Sequence, residues 1–255
     1  MRISFQHAKI SRIGMIAIPL IGVSLLALNF PISWASSVIS NKTNCKVNLE
    51  SPQGTIWSGN TSISLGNHLN GTCSDSAFMT ERISWSTSCN LLKISCEINL
   101  SSAMLSKPGR ILISPSEYSI SSNELTLPAK ILQDLGVPWN TIKPEGQLTL
   151  LWGDLTLSNK NYNGSVSLIF SDASSQLSSV RPLGDYRVNI NSLNTRSFEV
   201  NTLKGALDIR GKGSMTGHGI EFTGEAIAKP EYKDALTGLL SVIGKTSSGV
   251  TKLQF

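Results

Sequence analysis

An alternation of apolar and polar residues with period two, repeated between turn signals, constrains this chain most. It runs through KVNL at 46–49, TSISL at 61–65, KISCEINL at 93–100, RILIS at 110–114 and QLTLLWGDLTL at 147–157. It continues in GSVSLIF at 164–170, DYRVNI at 185–190, GALDIR at 205–210 and GIEFTGEA at 219–226. Successive side chains of a strand point to opposite faces, so this pattern sets one face on a core and the other in water. Between the windows stand Asn70-Gly71, Pro108-Gly109, Asn163-Gly164 and the glycines from Gly211 to Gly219, all turn chemistry. Charged residues are only 15% of the chain, and 39 Ser, 17 Thr, 18 Asn and 21 Gly take their place. Those residues favour strands and turns over helices.

Three segments read as helical. LPAKILQDLG at 127–136 has Pro128 in its first turn and Gly136 as a stop. DASSQLSSV at 172–180 is a short candidate. In PEYKDALTGLLSVIG at 230–244, Ala235, Leu236, Leu239, Leu240 and Ile243 share one helical face. The expected fold class is mainly β: an antiparallel, curved meander or sandwich-like sheet of roughly ten strands with two or three short helices. No Pro/Ser-rich linker divides residues 36–255, which read as one domain, and a division would fall near 100–125.

The amino terminus has a different character. Residues 13–30, IGMIAIPLIGVSLLALNF, carry no charge. Arg2, Lys9 and Arg12 precede them without any acid, and the next charge is Lys42. Eighteen helical residues span about 27 Å, close to the hydrocarbon thickness of a bilayer. Basic residues before the stretch and none just after it favour a cytoplasmic amino terminus with the rest exported. The expected organisation is a basic stub and transmembrane signal anchor over 1–35 and an exported β-rich domain over 36–255. The alternative is a signal peptide cut after Ala35, with Ser33 and Ala35 as the small residues. The formal net charge of +5 owes three units to Arg2, Lys9 and Arg12. The remainder holds 19 bases against 17 acids, with no basic cluster among aromatics. Nucleic acid is therefore not an expected partner.

Four cysteines, Cys45, Cys73, Cys89 and Cys96, follow the apolar stretch. An even number in an exported domain implies two disulfides, with three pairings open. We favour Cys45–Cys73 and Cys89–Cys96. Seven extended residues span about 23 Å, so the second pair requires a turn within NLLKIS. A zinc site is the runner-up, but the spacings lack the short knuckle that such sites use.

The search for a reaction centre finds little. His7, His68 and His218 are isolated, and no H-E-x-x-H or G-x-S-x-G occurs. GLLSVIGKT at 238–246 has five residues where a phosphate-binding loop needs four, and it ends a helix instead of following a strand. No catalytic residue, metal, cofactor or nucleotide is expected.

Several segments carry a family resemblance. LESPQGTIWSG at 49–59 holds Gly54, Trp57 and Gly59, and ISWSTSCNLLKISCEINL at 83–100 holds Trp85. LPAKILQDLGVPWNTIKPEGQLTLLW at 127–152 holds Gly136, Pro138 and Gly146. SDASSQLSSVRPLGDYRVNI at 171–190 holds Leu183, Gly184 and Tyr186. A Leu-rich helix, a glycine and a final strand, TKLQF, close the chain. In this order the segments resemble the type II secretion system protein N family (general secretion pathway protein N). The resemblance implies a non-enzymatic, single-pass protein of the bacterial inner membrane with a periplasmic β-rich domain. It also implies partners among other secretion-apparatus proteins of the inner membrane and periplasm. The motif residues read as structural: Gly54 and Gly59 let Trp57 return to the sheet, and the Tyr186 hydroxyl needs a partner. The rival function is lipid binding or transfer by an open apolar β-groove. A groove leaves its apolar face unfilled, whereas a scaffold fills it with its own helices.

Overall fold

The computed structural model describes residues 29–66, 68–69, 72–73, 79–136, 139–158, 161–192, 197–216 and 219–254. A helix, α1 (Ile32–Lys42), leads into β1 (Val47–Gly54), β2 (Ser58–Leu65), β3 (His68–Leu69) and β4 (Thr72–Cys73). Then come β5 (Ile83–Asn90), β6 (Ser95–Ser101), β7 (Gly109–Ile113), β8 (Glu117–Ile120) and β9 (Asn123–Pro128). A 3-10 turn over Ala129–Leu135 and one helical turn, α2 (Trp139–Ile142), precede β10 (Pro144–Trp152), β11 (Leu155–Ser158) and β12 (Tyr162–Asn163). β13 (Val166–Ser175), β14 (Gly184–Ser192), β15 (Ser197–Gly205), β16 (Leu207–Thr216) and β17 (Gly219–Ala228) follow. The chain ends with α3 (Lys233–Ile243), β18 (Lys245–Ser247) and β19 (Val250–Gln254).

The strands form an eight-stranded sheet in the order β1-β2-β5-β6-β7-β8-β11-β12 and a nine-stranded sheet in the order β18-β19-β17-β16-β15-β14-β13-β10-β9. β3 and β4 form a small separate pair. The neighbours β8, β11 and β12 of the first sheet continue directly into β9, β10 and β13, which are neighbours in the second. Ser121-Ser122, Gly153-Asp154 and Gly164-Ser165 make the three joints. The two sheets are thus one antiparallel meander broken across three adjacent strands. The polar groups freed at the break find partners, as backbone groups away from a ladder must. The Ser122 amide donates to Asp154 Oδ1 at 2.7 Å, and the Gly153 amide donates to the Ser165 carbonyl at 3.0 Å. Trp152 Nε1 donates to the Ser121 carbonyl at 2.8 Å. The alternating window 147–157 is therefore two strands, parted at Gly153 and Asp154.

Other local expectations change. Residues 172–180 are not helical: β13 runs to Ser175, and a turn follows. Ser175 Oγ and Ser178 Oγ accept the amides of Leu177 and Val180, the local bonding by which serine competes with helix. The 127–136 segment is a strand end and a 3-10 turn. Helix α1 has no clear sequence signal, and the sheet holds it in place. Ser36 Oγ donates to the Leu49 carbonyl and Ser40 Oγ to Asn48 Oδ1, so α1 shields the outer edge of β1. Among the described residues no helix is long and apolar enough to cross a membrane. Most of the 13–30 segment, with Arg2, Lys9 and Arg12, lies outside those residues.

The core belongs to the nine-stranded sheet. Leu236, Leu239 and Leu240 of α3 pack with Leu183, Phe198, Leu207, Phe222, Ala226 and Leu253. Phe198 and Phe222 stack with ring centroids 6.1 Å apart. Gly213 makes room for this: a Cβ there would sit 2.3 Å from Phe198 Cζ. Leu236 is fully buried. Leu236→Ala is expected to lower stability by about 2–5 kcal/mol, the range for an aliphatic core truncation, read from urea unfolding followed by circular dichroism.

Candidate interaction surface

Register fixes which residues share a face of the eight-stranded sheet. Trp85, Leu100 and Gly109 lie in one cross-strand row. Thr87, Ile98, Ile111, Ile120 and Leu155 form the next. Cys89, Cys96, Ile113, Tyr118, Leu157 and Tyr162 form a third. The opposite face carries Ser84, Ser86, Ser88, Glu97, Asn99, Arg110 and Ser119, with Leu112 as an exposed aliphatic among them. Glu97 and Arg110 pair there at 3.1 Å. One face is thus apolar and the other wet, as period-two patterning demands.

The apolar face is not filled. Among the described residues, the buried apolar side chains are Cys45 and then none before Ala129. The aliphatic side chains of these rows are only half-buried, while Tyr118 and Tyr162 are 52% and 45% exposed. The second sheet receives α3 and has a true core. The 3-10 turn at Ala129–Leu135 reaches the first sheet at β2. Covering a half-exposed Leu or Ile would gain about half of the roughly 1.5–3 kcal/mol that full burial yields.

The motif residues fall into separate places. Gly54 and Gly59 pair across the β1–β2 hairpin. A Cβ on Gly59 would lie 2.6 Å from Trp85 Cζ2, so this glycine lets the Trp85 ring lie against the backbone. Trp85 Nε1 donates to the Thr55 carbonyl at 3.1 Å. Trp57 sits in the β1–β2 turn, and its carbonyl accepts the Thr87 amide at 2.6 Å. Gly136 ends the 3-10 turn, and Gly146 sits at the bulge between β10 and β13. Pro138 lies outside the described residues. Leu183 joins the second sheet's core. Gly184 pairs with Gly205, and a Cβ on it would meet the Lys204 carbonyl at 2.5 Å. Tyr186 is buried and donates its hydroxyl to the Leu207 carbonyl at 3.0 Å. Burial holds this phenol well above its usual range, and Asp208 and Asp185 add to the effect.

Both disulfides are present as Cys45–Cys73 and Cys89–Cys96. The first ties the α1–β1 connection to β4. The second joins directly opposed residues of β5 and β6, with Cα atoms 4.0 Å apart. Asn90 Oδ1 accepts the amides of Leu92 and Lys93, which supplies the turn. Sequence reasoning required that turn but missed what it displays. Leu91, Leu92 and Ile94 are 89%, 97% and 72% exposed. The available signal was three large aliphatics in a turn, where Gly, Asn, Asp or Ser is the norm.

Among the described residues no three His, Cys, Asp or Glu side chains gather as a metal site would need. The family model for type II secretion system protein N matches residues 46–254. No curated protein and no solved structure matches the chain.

Tyr186→Phe leaves the Leu207 carbonyl unpaired and is expected to cost about 1–2 kcal/mol. The folded state holds the Tyr186 proton more tightly than the unfolded state, whose value is near 10.0. That stabilisation is complete below pH 10 and falls as pH rises further, so the wild type should lose its advantage over Tyr186→Phe in alkaline urea titrations. Replacing Cys89 and Cys96 together with Ala opens a short loop and should cost about 2 kcal/mol in the same measurement.

Proposed function

The chain belongs to the type II secretion system protein N family, and on that premise we propose that it is a non-enzymatic inner-membrane accessory of that apparatus, acting through protein contacts on its open sheet face. An accessory role in type II secretion is the family's role. The amino terminus is cytoplasmic, residues 13–30 form the single span, and the β-rich remainder lies in the periplasm. Other inner-membrane or periplasmic components of the apparatus cover the face formed by β5, β6, β7, β8 and β11. The unfilled apolar face of this sheet, beside a second sheet whose face is filled by α3, carries the reading. Five strands at about 4.8 Å spacing give a surface roughly 20 Å across, enough for an amphipathic helix or a pair of strands.

An uncleaved span is supported by contacts at residues 30 and 31. The Ile56 amide donates to the Phe30 carbonyl at 3.1 Å, and Pro31 bridges to Thr55. A cut after Ala35 removes both links and the first turn of α1. Amino-terminal sequencing of the membrane fraction should read from residue 1, and a mature start at Ser36 overturns the anchor.

The same open face also suits acyl chains, so lipid carriage is the second reading. The two separate in one experiment. Ile98→Asp with Ile111→Asp places charges in the middle row of the face. We expect a variant that retains cooperative unfolding and both disulfides but secretes type II substrates at a small fraction of the wild-type level and loses cross-links to apparatus proteins. Undiminished secretion by a folded variant overturns the contact reading. Phospholipid co-purifying with the wild type and lost from the variant, by native mass spectrometry, favours carriage.

A further inference from the structure

We propose that the β5–β6 hairpin tip, Leu91–Ile94, inserts into the periplasmic leaflet of the membrane that carries the amino-terminal segment, and so sets the orientation of the sheet on the bilayer. The inference rests on the anchor reading above and extends it to a second membrane contact.

The fold itself does not account for the tip's composition. Leu91, Leu92 and Ile94 are 89%, 97% and 72% exposed, so they contribute almost nothing to packing. Ile94 has φ +48°, a region where a β-branched residue is a true outlier and glycine or asparagine is the ordinary choice. Neither burial nor backbone geometry selects an aliphatic there. The tip is also held out rigidly. Cys89–Cys96 closes its base, and Asn90 Oδ1 fixes the turn through two amides. The aliphatics therefore cannot fold back onto the half-open face behind them.

The position of the tip points to a bilayer. The apolar stretch 13–30 ends at Phe30, whose carbonyl accepts the Ile56 amide. Ile56 and Trp57 offer their carbonyls to the Thr87 hydroxyl and amide, at 3.1 and 2.6 Å. The exit of the apolar stretch and the end of β5 are thus at the same end of the sheet. β5 carries on three residues past Thr87 to Asn90, about 10 Å, before the turn that holds Leu92. A chain leaving the membrane at residue 30 cannot keep this tip far from the surface.

The chemistry around the tip is interfacial. Residues 83–96 carry one charge, Lys93, placed among the aliphatics, where a long cationic side chain can reach lipid headgroups. Tyr118 and Tyr162 lie in the same cross-strand row as the disulfide, both about half exposed. Trp57 occupies the neighbouring hairpin turn. Amphipathic rings one step behind an aliphatic tip match the order of side chains at a membrane–water interface.

The test uses the full chain reconstituted into vesicles of phosphatidylethanolamine and phosphatidylglycerol, with or without brominated acyl chains. Leu92→Trp adds a reporter at the tip, and Val242→Trp adds one at an exposed site on α3. After subtraction of the wild-type emission, the tip reporter should be blue-shifted and quenched several-fold more by brominated lipid than the α3 reporter. Adding Leu91→Ser and Ile94→Ser to Leu92→Trp should abolish that difference while both disulfides stay formed. Carbonate extraction of the same vesicles separates the two failures. A chain that stays in the membrane with its tip reporter unquenched overturns the insertion alone, and the tip then faces a protein or solvent. A chain that carbonate removes overturns the anchor and the insertion together.

Discussion

At the junction of β10 and β11 the ladder stops, and three polar contacts take over: Trp152 to Ser121, Ser122 to Asp154 and Gly153 to Ser165. Without that break the chain would be a single twisted meander with one long apolar face. With it, the face is divided into two parts with different fates. The part in the nine-stranded sheet receives α3 and closes over Leu207, Leu236 and Phe222. The part in the eight-stranded sheet meets α1 along one edge and the 3-10 turn at β2. Sheets need an apolar layer against their apolar face, and among the described residues α3 supplies one for the nine-stranded sheet.

Much of the architecture is legible in the amino-acid order, because alternation leaves little freedom. In GIEFTGEA, Phe222 and Ala226 have one way to turn inward together. The α3 helix is equally plain, since Leu236, Leu239 and Leu240 repeat at helical spacing and are the residues that end up buried. The misses have a common cause. At 172–180, serines that read as a weak helix bond their neighbours' amides instead. At 32–42, a segment without helical signal is helical because Ser36 and Ser40 find β1. In both cases the outcome lies in partners distant in sequence or in side-chain bonding, and periodicity reports neither.

The surface divides along the same line. Alternation states that β5 to β8 have an apolar side, but not whether anything in the chain covers it. That depends on where the amphipathic helix α3 docks, a tertiary fact. The motif residues tell a complementary story. Gly59 under Trp85, and Gly184 opposite Gly205 with Tyr186 bonded to Leu207, all serve close backbone approach and buried hydrogen bonding. They hold the scaffold in shape, while the face that stays half open is made of Ile98, Ile111, Leu155 and their neighbours.

The placement of the cysteines has a consequence for how the chain matures. All four precede the break, in the part whose apolar residues remain half open, and the part with the buried core has none. The two halves therefore reach their native state by different means. The later half can condense on burial alone. The earlier half gains little from burial and leans on covalent closure, which requires an oxidising compartment. Oxidation is then a condition of completing the first sheet. A chain retained among reducing thiols would hold a finished core beside an unfinished sheet.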